Sequence, residues 1–315
     1  MKILVTGGAG FIGSHLCERL LGRGHQVVCL DNFNNFYDPK IKRDNILTAL
    51  KSPDYTLVEG DILNTKLLDT LFETPFDAVV HLAAYAGVRP SIQDPQLYQK
   101  VNLEGTVNLL EQCRRHDIRK FVFASSSSVY GGRTEVPFRE SDNIMHPISP
   151  YAATKAAGEA ICYSFHHLFG IHMHLLRFFT VYGPRQRPEM AIHLFARQML
   201  ENQPIKMFGN GESCRDYTYI DDIIDGVTAS TENCNGFEVL NLGGSRTTSL
   251  KQLIELIANG LNITPIIDQL PNQAGDVPIT FADVSKAQRI IGYAPKVPIE
   301  EGMRRFCRWL LEKHV

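Results

Sequence analysis

The sequence predicts an α/β fold, a doubly wound parallel sheet followed by a smaller mixed α/β substrate domain at the carboxyl end. Three observations carry that prediction. The chain passes from an apolar run, Ile3-Leu4-Val5, straight into glycines at positions 7, 10 and 13. Apolar strand-length runs then alternate with helical patterns through about the first half of the chain. Several of those runs end in groups suited to a ligand, namely Asp31, Asp61 and the serines 125 to 128. In an open α/β sheet that carboxyl edge is where ligands bind.

The amino-terminal turn is read first. Gly7 permits the tight turn, Gly10 lets backbone N–H groups approach a pyrophosphate, and Gly13 lets the next helix pack closely on its strand. The helix N-terminus then faces the anion with unpaired N–H groups and a favourable dipole. The spacing is Gly-x-x-Gly-x-x-Gly, so a ligand-free glycine turn is the alternative. Its context argues against that. Leu16, Leu20 and Leu21 recur at helical spacing, Gly24 ends the helix, and Gln26 to Asp31 forms a second strand closed by an acid. Asp31 stands 18 residues after Gly13, where a carboxylate binds the adenosine ribose hydroxyls. It would repel a 2′-phosphate, so the predicted cofactor is NAD, not NADP.

Composition bounds the rest. The chain has 315 residues, 44% hydrophobic and 21% charged, with a formal net charge of −2. That suits a globular enzyme of about two domains and argues against nucleic acid or an anionic membrane as main partner. No signal-peptide pattern opens the chain and no apolar run reaches the roughly 20 residues a span requires. The seven cysteines (17, 29, 113, 162, 214, 234 and 307) include no Cys-x-x-Cys pair. They read as reduced, mostly buried thiols in a cytoplasmic protein with no metal site.

After Asp31, residues 32 to 39 read as a long loop beside the adenosine site, followed by a helix over 40–50 and a strand over 55–58. Asp61 either accepts a bond from adenine or caps a helix over 63–72. Residues 78 to 84 form another apolar strand, in which His81 reads as a core residue. A helix is expected over 94–115, with Asn102 facing the cofactor. The strand over 120–124 runs out into four serines at the sheet's ligand edge.

Pro150-Tyr151-Ala152-Ala153-Thr154-Lys155 is decisive. On a helix, Tyr151 and Lys155 share one face about 6 Å apart. A cation there lowers a phenol pKa from about 10, making Tyr151 a general base.

Together, Gly7/Gly10/Gly13, Ser126 and Tyr151/Lys155 resemble the extended short-chain dehydrogenase/reductase family, in particular its nucleotide-sugar epimerases and dehydratases. The likeness extends to Arg177 to Pro184 and Arg215 to Asp222, essentially the whole chain. It implies a Rossmann NAD domain over 1–180 with returns near 217–245, and a nucleotide-sugar domain over 181–315. It also implies tightly held NAD, a UDP-sugar substrate and a homodimer through the helices after Asp94 and Tyr151. By position, Phe11 and Ile12 would line the pyrophosphate and Asp31 and Asn32 the ribose. Asp61 and Ile62 would meet adenine. Leu82, Ala83, Ala84 and Asn102 would line the remaining cleft, with Phe179 against the nicotinamide.

Within that family the sequence resembles the UDP-glucuronate 4-epimerases, through Asn-Phe-Tyr-Asp-Pro at 35–39, Ser-Ser-Ser-Ser-Val-Tyr-Gly at 125–131 and Gly-Pro-Arg-Gln-Arg-Pro-Glu-Met-Ala at 183–191. Dehydratases carry an acidic pair where Ser127 and Ser128 stand, and decarboxylases a glutamate at Ser128. UDP-glucose 4-epimerases usually carry asparagine at Thr180. The resemblance makes Ser126, Tyr151 and Lys155 catalytic. Ser127, Ser128 and Thr180 are expected to hold a sugar carboxylate. Arg187 is either its charge partner or a surface arginine, and Arg89 is a further candidate. Phe208 either stacks on uracil or packs in the core, Arg215 would pair with the diphosphate, and Asp276 would bind the uridine ribose. Many glucose epimerases carry arginine where Gln273 sits. The alternatives are a UDP-glucose 4-epimerase, a UDP-glucuronate decarboxylase, or a non-catalytic NAD-binding regulator.

Overall fold

The computed structural model describes residues 1–271 and 277–314. Seven parallel strands form the central sheet: β1 (Lys2–Thr6), β2 (Gln26–Asp31), β3 (Tyr55–Glu59), β4 (Ala78–His81), β5 (Lys120–Ser126), β6 (His172–Phe178) and an edge strand, Phe237–Leu242. Their order in space is edge strand, β6, β5, β4, β1, β2, β3. Chain direction across the sheet therefore reverses between β1 and β4, and a crevice opens at their carboxyl ends. The predicted doubly wound sheet is what forms.

Helices α1 (Phe11–Gly22), α2 (Pro39–Asn45), α3 (Thr65–Phe72), α4 (Val88–Gln93), α5 (Pro95–Gln99), α6 (Gly105–Arg115) and α7 (Pro150–Phe169) lie in the crossovers. Side chains alternate along each strand, and this divides the core into two. Ile3, Val5 and Val122 join Leu16 and Leu20 of α1 and Ile223 and Val227 of the helix Ile220–Glu232. Leu4, Phe121 and Phe123 join Leu68, Phe72, Leu109 and Leu110 on the other face. All are buried, as a parallel sheet covered on both faces requires. His81 is a core residue, bonded to Thr6 Oγ1 at 2.8 Å and Thr106 Oγ1 at 3.0 Å.

Beyond β6 the chain builds small pairings outside this sheet. Ile205–Phe208 pairs with Ile267–Leu270, and Cys214–Arg215 with Thr248–Ser249. Ile192, Leu253, Ile257, Phe306 and Leu310, from the helices Ala191–Leu200, Leu250–Leu261 and Ile299–His314, join the same core as α1. Among the described residues no helix is long and apolar enough to cross a membrane. All seven cysteines are free thiols.

Three local expectations are corrected. The helix expected over 40–50 is α2, started earlier by the Asp38 side chain accepting from Lys40 N–H and by Pro39 in the first turn, and ended at Asn45. Asp61 does not cap α3; Asn64 does, accepting from Leu67 N–H at 3.2 Å. The helix over 94–115 is interrupted at Lys100–Glu104 by a π-helical turn between α5 and α6, a device that redirects side chains locally.

The glycine turn is closely packed. Gly7 has φ +70°, and a Cβ there would lie 2.8 Å from Ala83 N; at Gly13 it would lie 2.2 Å from the Gly7 carbonyl oxygen. Gly13→Ala is expected to lower the stability measured in urea by about 1–3 kcal/mol or more, the usual cost of overpacking. An unchanged midpoint would show that the turn yields freely.

Candidate active site

The crevice at the switch point is a cleft of about 350 Å³. One end is the glycine turn. Gly10 caps α1 with no side-chain bond, so the first N–H groups of the helix have no side-chain acceptor and face the cleft, an arrangement that attracts anions. Asp31, at the end of β2, accepts from Ala9 N–H at 3.1 Å and Phe33 N–H at 2.9 Å. Asn32 donates to Asp61 at 2.8 Å, and Asp61 also takes Leu63 N–H at 2.9 Å. These acids, with Ile62, line the wall below the turn.

The other end holds the serine, the tyrosine and the lysine expected from the sequence to be catalytic. Ser126 closes β5 and caps the short 3₁₀ turn Ser127–Tyr130: its Oγ accepts from Ser128 N–H and donates to Ser128 Oγ, both at 3.2 Å. Tyr151 sits in the first turn of α7, which Ser149 caps and Pro150 opens. Ser126, Ser127, Ser128, Tyr151, Lys155 and Thr180 line this end, with Arg187 beside them. Phe179 lines the cleft as well, and Leu82, Ala83 and Ala84 line it beside the glycine turn, where a Cβ at Gly7 would lie 2.8 Å from Ala83 N. The residues expected at the sugar and nicotinamide positions therefore converge.

Burial raises the Tyr151 phenol above its ordinary value, and the hydrogen bond with Ser126 and the Arg187 guanidinium oppose that rise. Lys155 Nζ donates to Ala124 O at 2.7 Å and lies 5.0 Å from the centre of the Phe123 ring. Burial pushes the lysine down to about 8, with Cys162 and Glu159 opposing.

Beneath these groups lies a buried ion pair. Glu159 takes Arg177 Nε at 2.9 Å and Nη2 at 2.8 Å, and accepts from Ser125 Oγ at 2.5 Å. Arg177 continues to Tyr130, whose hydroxyl donates to Asn241 at 2.6 Å. The pair pins β5 and β6 to α7, hence Ser126 to Tyr151.

Other expected site residues lie elsewhere. Asn102 does not line the cleft: the π turn directs its amide to Tyr85 N at 2.9 Å, Tyr85 O at 3.0 Å and Thr154 Oγ1 at 3.1 Å, so it ties the loop after β4 to α7. Arg89, Phe208 and Arg215 are also outside its lining. Arg89 lies 5.8 Å from the centre of the Phe208 ring, and Arg215 donates to Cys214 O at 2.9 Å. Gln273 and Asp276 fall outside the described residues. Conversely, Phe36, Tyr37, Lys42, Tyr85 and Met190 line the cleft without having been singled out. Phe36 supports Arg187, whose guanidinium lies 5.6 Å from its ring centre. The 35–39 motif marked that loop, but not its reach.

Arg177→Met would leave the Glu159 carboxylate buried without its partner, a loss of about 3–5 kcal/mol in unfolding free energy. Chemical denaturation checks this; a loss below about 1 kcal/mol, the range of exposed pairs, would contradict the assigned role.

The profile of the NAD dependent epimerase/dehydratase family matches residues 3–243. A UDP-glucuronate 4-epimerase of Thermodesulfobacterium geofontis is 42% identical over 311 residues, covering 98% of this chain and 96% of the relative. UDP-glucuronate 4-epimerase 1 of Arabidopsis thaliana is 41% identical over 331 residues, 99% of this chain and 77% of the relative. Among solved structures, UDP-glucuronic acid 4-epimerase from Bacillus cereus, in complex with UDP-glucuronic acid and NAD, matches with a TM-score of 0.93 and 39% identity over 99% of this chain and 100% of that one. UDP-glucose 4-epimerase from Thermotoga maritima, with UDP-glucose, matches with a TM-score of 0.91 and 32% identity over 100% of both chains. The chain belongs to the NAD dependent epimerase/dehydratase family.

Proposed function

We propose that this protein is an NAD-dependent 4-epimerase interconverting UDP-glucuronate and UDP-galacturonate. The observation that carries the reading is the convergence of Ser126, Tyr151 and Lys155 at one end of a cleft whose other end is an uncapped helix N-terminus. The relatives named UDP-glucuronate 4-epimerase, matched over nearly the whole chain, support the substrate.

The cleft suits a dinucleotide. Its glycine turn has no room for a Cβ at Gly7 or Gly13, and its donors are backbone N–H groups. Gly7, Gly10, Phe11, Ile12 and Gly13 would hold the pyrophosphate, and Asp31 and Asn32 the adenosine ribose. Asp61 and Ile62 would border adenine. Leu82, Ala83 and Ala84 would line the rest of the cofactor cleft, Phe179 would border the nicotinamide, and Lys155 would hold its ribose. Bound NAD supplies the reversible hydride acceptor that the reaction needs.

The chain's own side chains handle the protons and the sugar. Tyr151 takes the proton of the sugar 4-hydroxyl, and Ser126 hydrogen-bonds the same oxygen. Arg187 and the Ser126 hydroxyl bring the buried phenol toward the ionised form that this step requires. The 4-keto sugar turns over in the cleft, and Tyr151 returns the proton when the opposite face is reduced. A C5 carboxylate makes that intermediate a β-keto acid, which loses carbon dioxide when the breaking bond aligns with the carbonyl π system. Ser127, Ser128, Thr180 and Arg187 hold the carboxylate out of that alignment. No acid stands at Ser127 or Ser128 to promote elimination of water.

The reading includes a cytoplasmic homodimer. Free thiols support the compartment, and Tyr163, Leu168 and Phe169 expose apolar surface on α7 for the contact.

Incubation of the purified protein with UDP-glucuronate is expected to yield UDP-galacturonate, resolved chromatographically. Tyr151→Phe should lower kcat by about 10²–10⁴, the worth of a positioned acid–base group. A UDP-pentose as main product would indicate the decarboxylase. Turnover of UDP-glucose alone would indicate the glucose epimerase, and no turnover of any nucleotide sugar with NAD bound would indicate a regulator.

A further inference from the structure

One cation in the cleft wall has no part in the mechanism above. Lys42, on α2, is 5% exposed and lines the cleft. Its Nζ donates to Asn34 Oδ1 at 3.0 Å, stands 3.8 Å from Asp31 Oδ1 and lies 5.2 Å from the centre of the Tyr37 ring. Burial lowers its pKa, and Asp31 opposes that shift. Keeping an ammonium out of water is costly unless its protons are used. Asp31 does not require it, since two backbone N–H groups already hold that carboxylate in place. An ammonium carries three protons. Asn34 takes one, and at 3.8 Å Asp31 lies beyond direct hydrogen-bond length.

We propose that Lys42 is the second half of the ribose site: Asp31 accepts from one hydroxyl of the adenosine vicinal diol, and Lys42 donates to the other. This rests on the dinucleotide reading of the cleft and adds a specificity-determining residue to it. Asp31 and Lys42 stand side by side as acceptor and donor, as the two neighbouring hydroxyls do. The pair also changes the charge of the wall. Asp31 alone would repel a 2′-phosphate; with Lys42 beside it the wall is close to neutral. Discrimination against NADP is therefore weaker than the acid at the end of β2 implies.

The rival role is a tether, in which Lys42 only holds the loop over 32–38 through Asn34 and Tyr37. The two roles separate in a ratio. Displacement of radiolabelled NAD from the holoenzyme by unlabelled NAD or by NADP gives the relative affinity for the two nucleotides. Lys42→Met is expected to shift that ratio against NADP by about tenfold or more, because removing a cation beside a phosphate leaves only repulsion. Lys42→Arg should leave the ratio within about twofold, since the charge stays. If Lys42→Met does not fold, Lys42→Gln removes the charge while keeping a donor for Asn34, and the same ratio decides. Equal weakening of NAD and NADP would overturn the proposal in favour of the tether. A wild-type protein that holds neither nucleotide would overturn the dinucleotide reading itself, before Lys42 is reached.

Discussion

The buried carboxylate of Glu159 decides where the hydroxyl and the phenol meet. It lies two helical turns after Tyr151 and one after Lys155, on the same face of α7. From there it accepts the Ser125 hydroxyl and both forks of Arg177. A charge pair this deep gains little net stability, because desolvation offsets the attraction. Its consequence is geometric. Ser125 is fixed toward α7, so by strand alternation its neighbour Ser126 is fixed toward the cleft. The same guanidinium reaches Tyr130 and, through it, Asn241 on the edge strand. The last strand of the sheet is thus tied to the site without touching it.

Around that anchor, chemistry is divided along the cleft. The glycine turn offers backbone donors with no side chain to block them, and the serine end offers short hydroxyls with few charges. Lys155 and Arg187 are the cations at that end, and Arg187 is held by Glu189 at 3.0 Å and lies 5.6 Å from the ring centre of Phe36, on a distant loop. That loop begins at Asp31 and is held by Lys42 through Asn34. The Asp31 wall and the Arg187 wall of the cleft therefore share one segment of chain.

What the sequence revealed is what short spacing governs. A strand, a turn and a helix within thirteen residues are legible because each glycine has a local reason to be there. Tyr151 and Lys155 are legible because four residues make one helical turn. The misses come from longer-range contacts and from competition between neighbours. Asn64, not Asp61, is the cap because α3 starts at Thr65, later than the apolar pattern implies, while Asp61 bonds Asn32 and Leu63. Asn102 lies in a π turn, invisible in a repeating apolar pattern, and bonds Tyr85 and Thr154. The head of Lys155 settled under the Ala124 carbonyl, a partner 31 residues away. Lys42 carries no local mark in the sequence, because only the fold brings it to Asp31.

The central claim is that Tyr151 exchanges only the hydroxyl proton at C4, while the hydrogen on carbon never leaves the cleft. UDP-glucuronate carrying deuterium at C4 tests it most directly, with the product's isotopic content read by mass spectrometry and NMR. The account predicts UDP-galacturonate that retains the deuterium at C4 and takes up no solvent hydrogen on carbon. Loss of the label to water, or solvent hydrogen at C4 or C5, would contradict it.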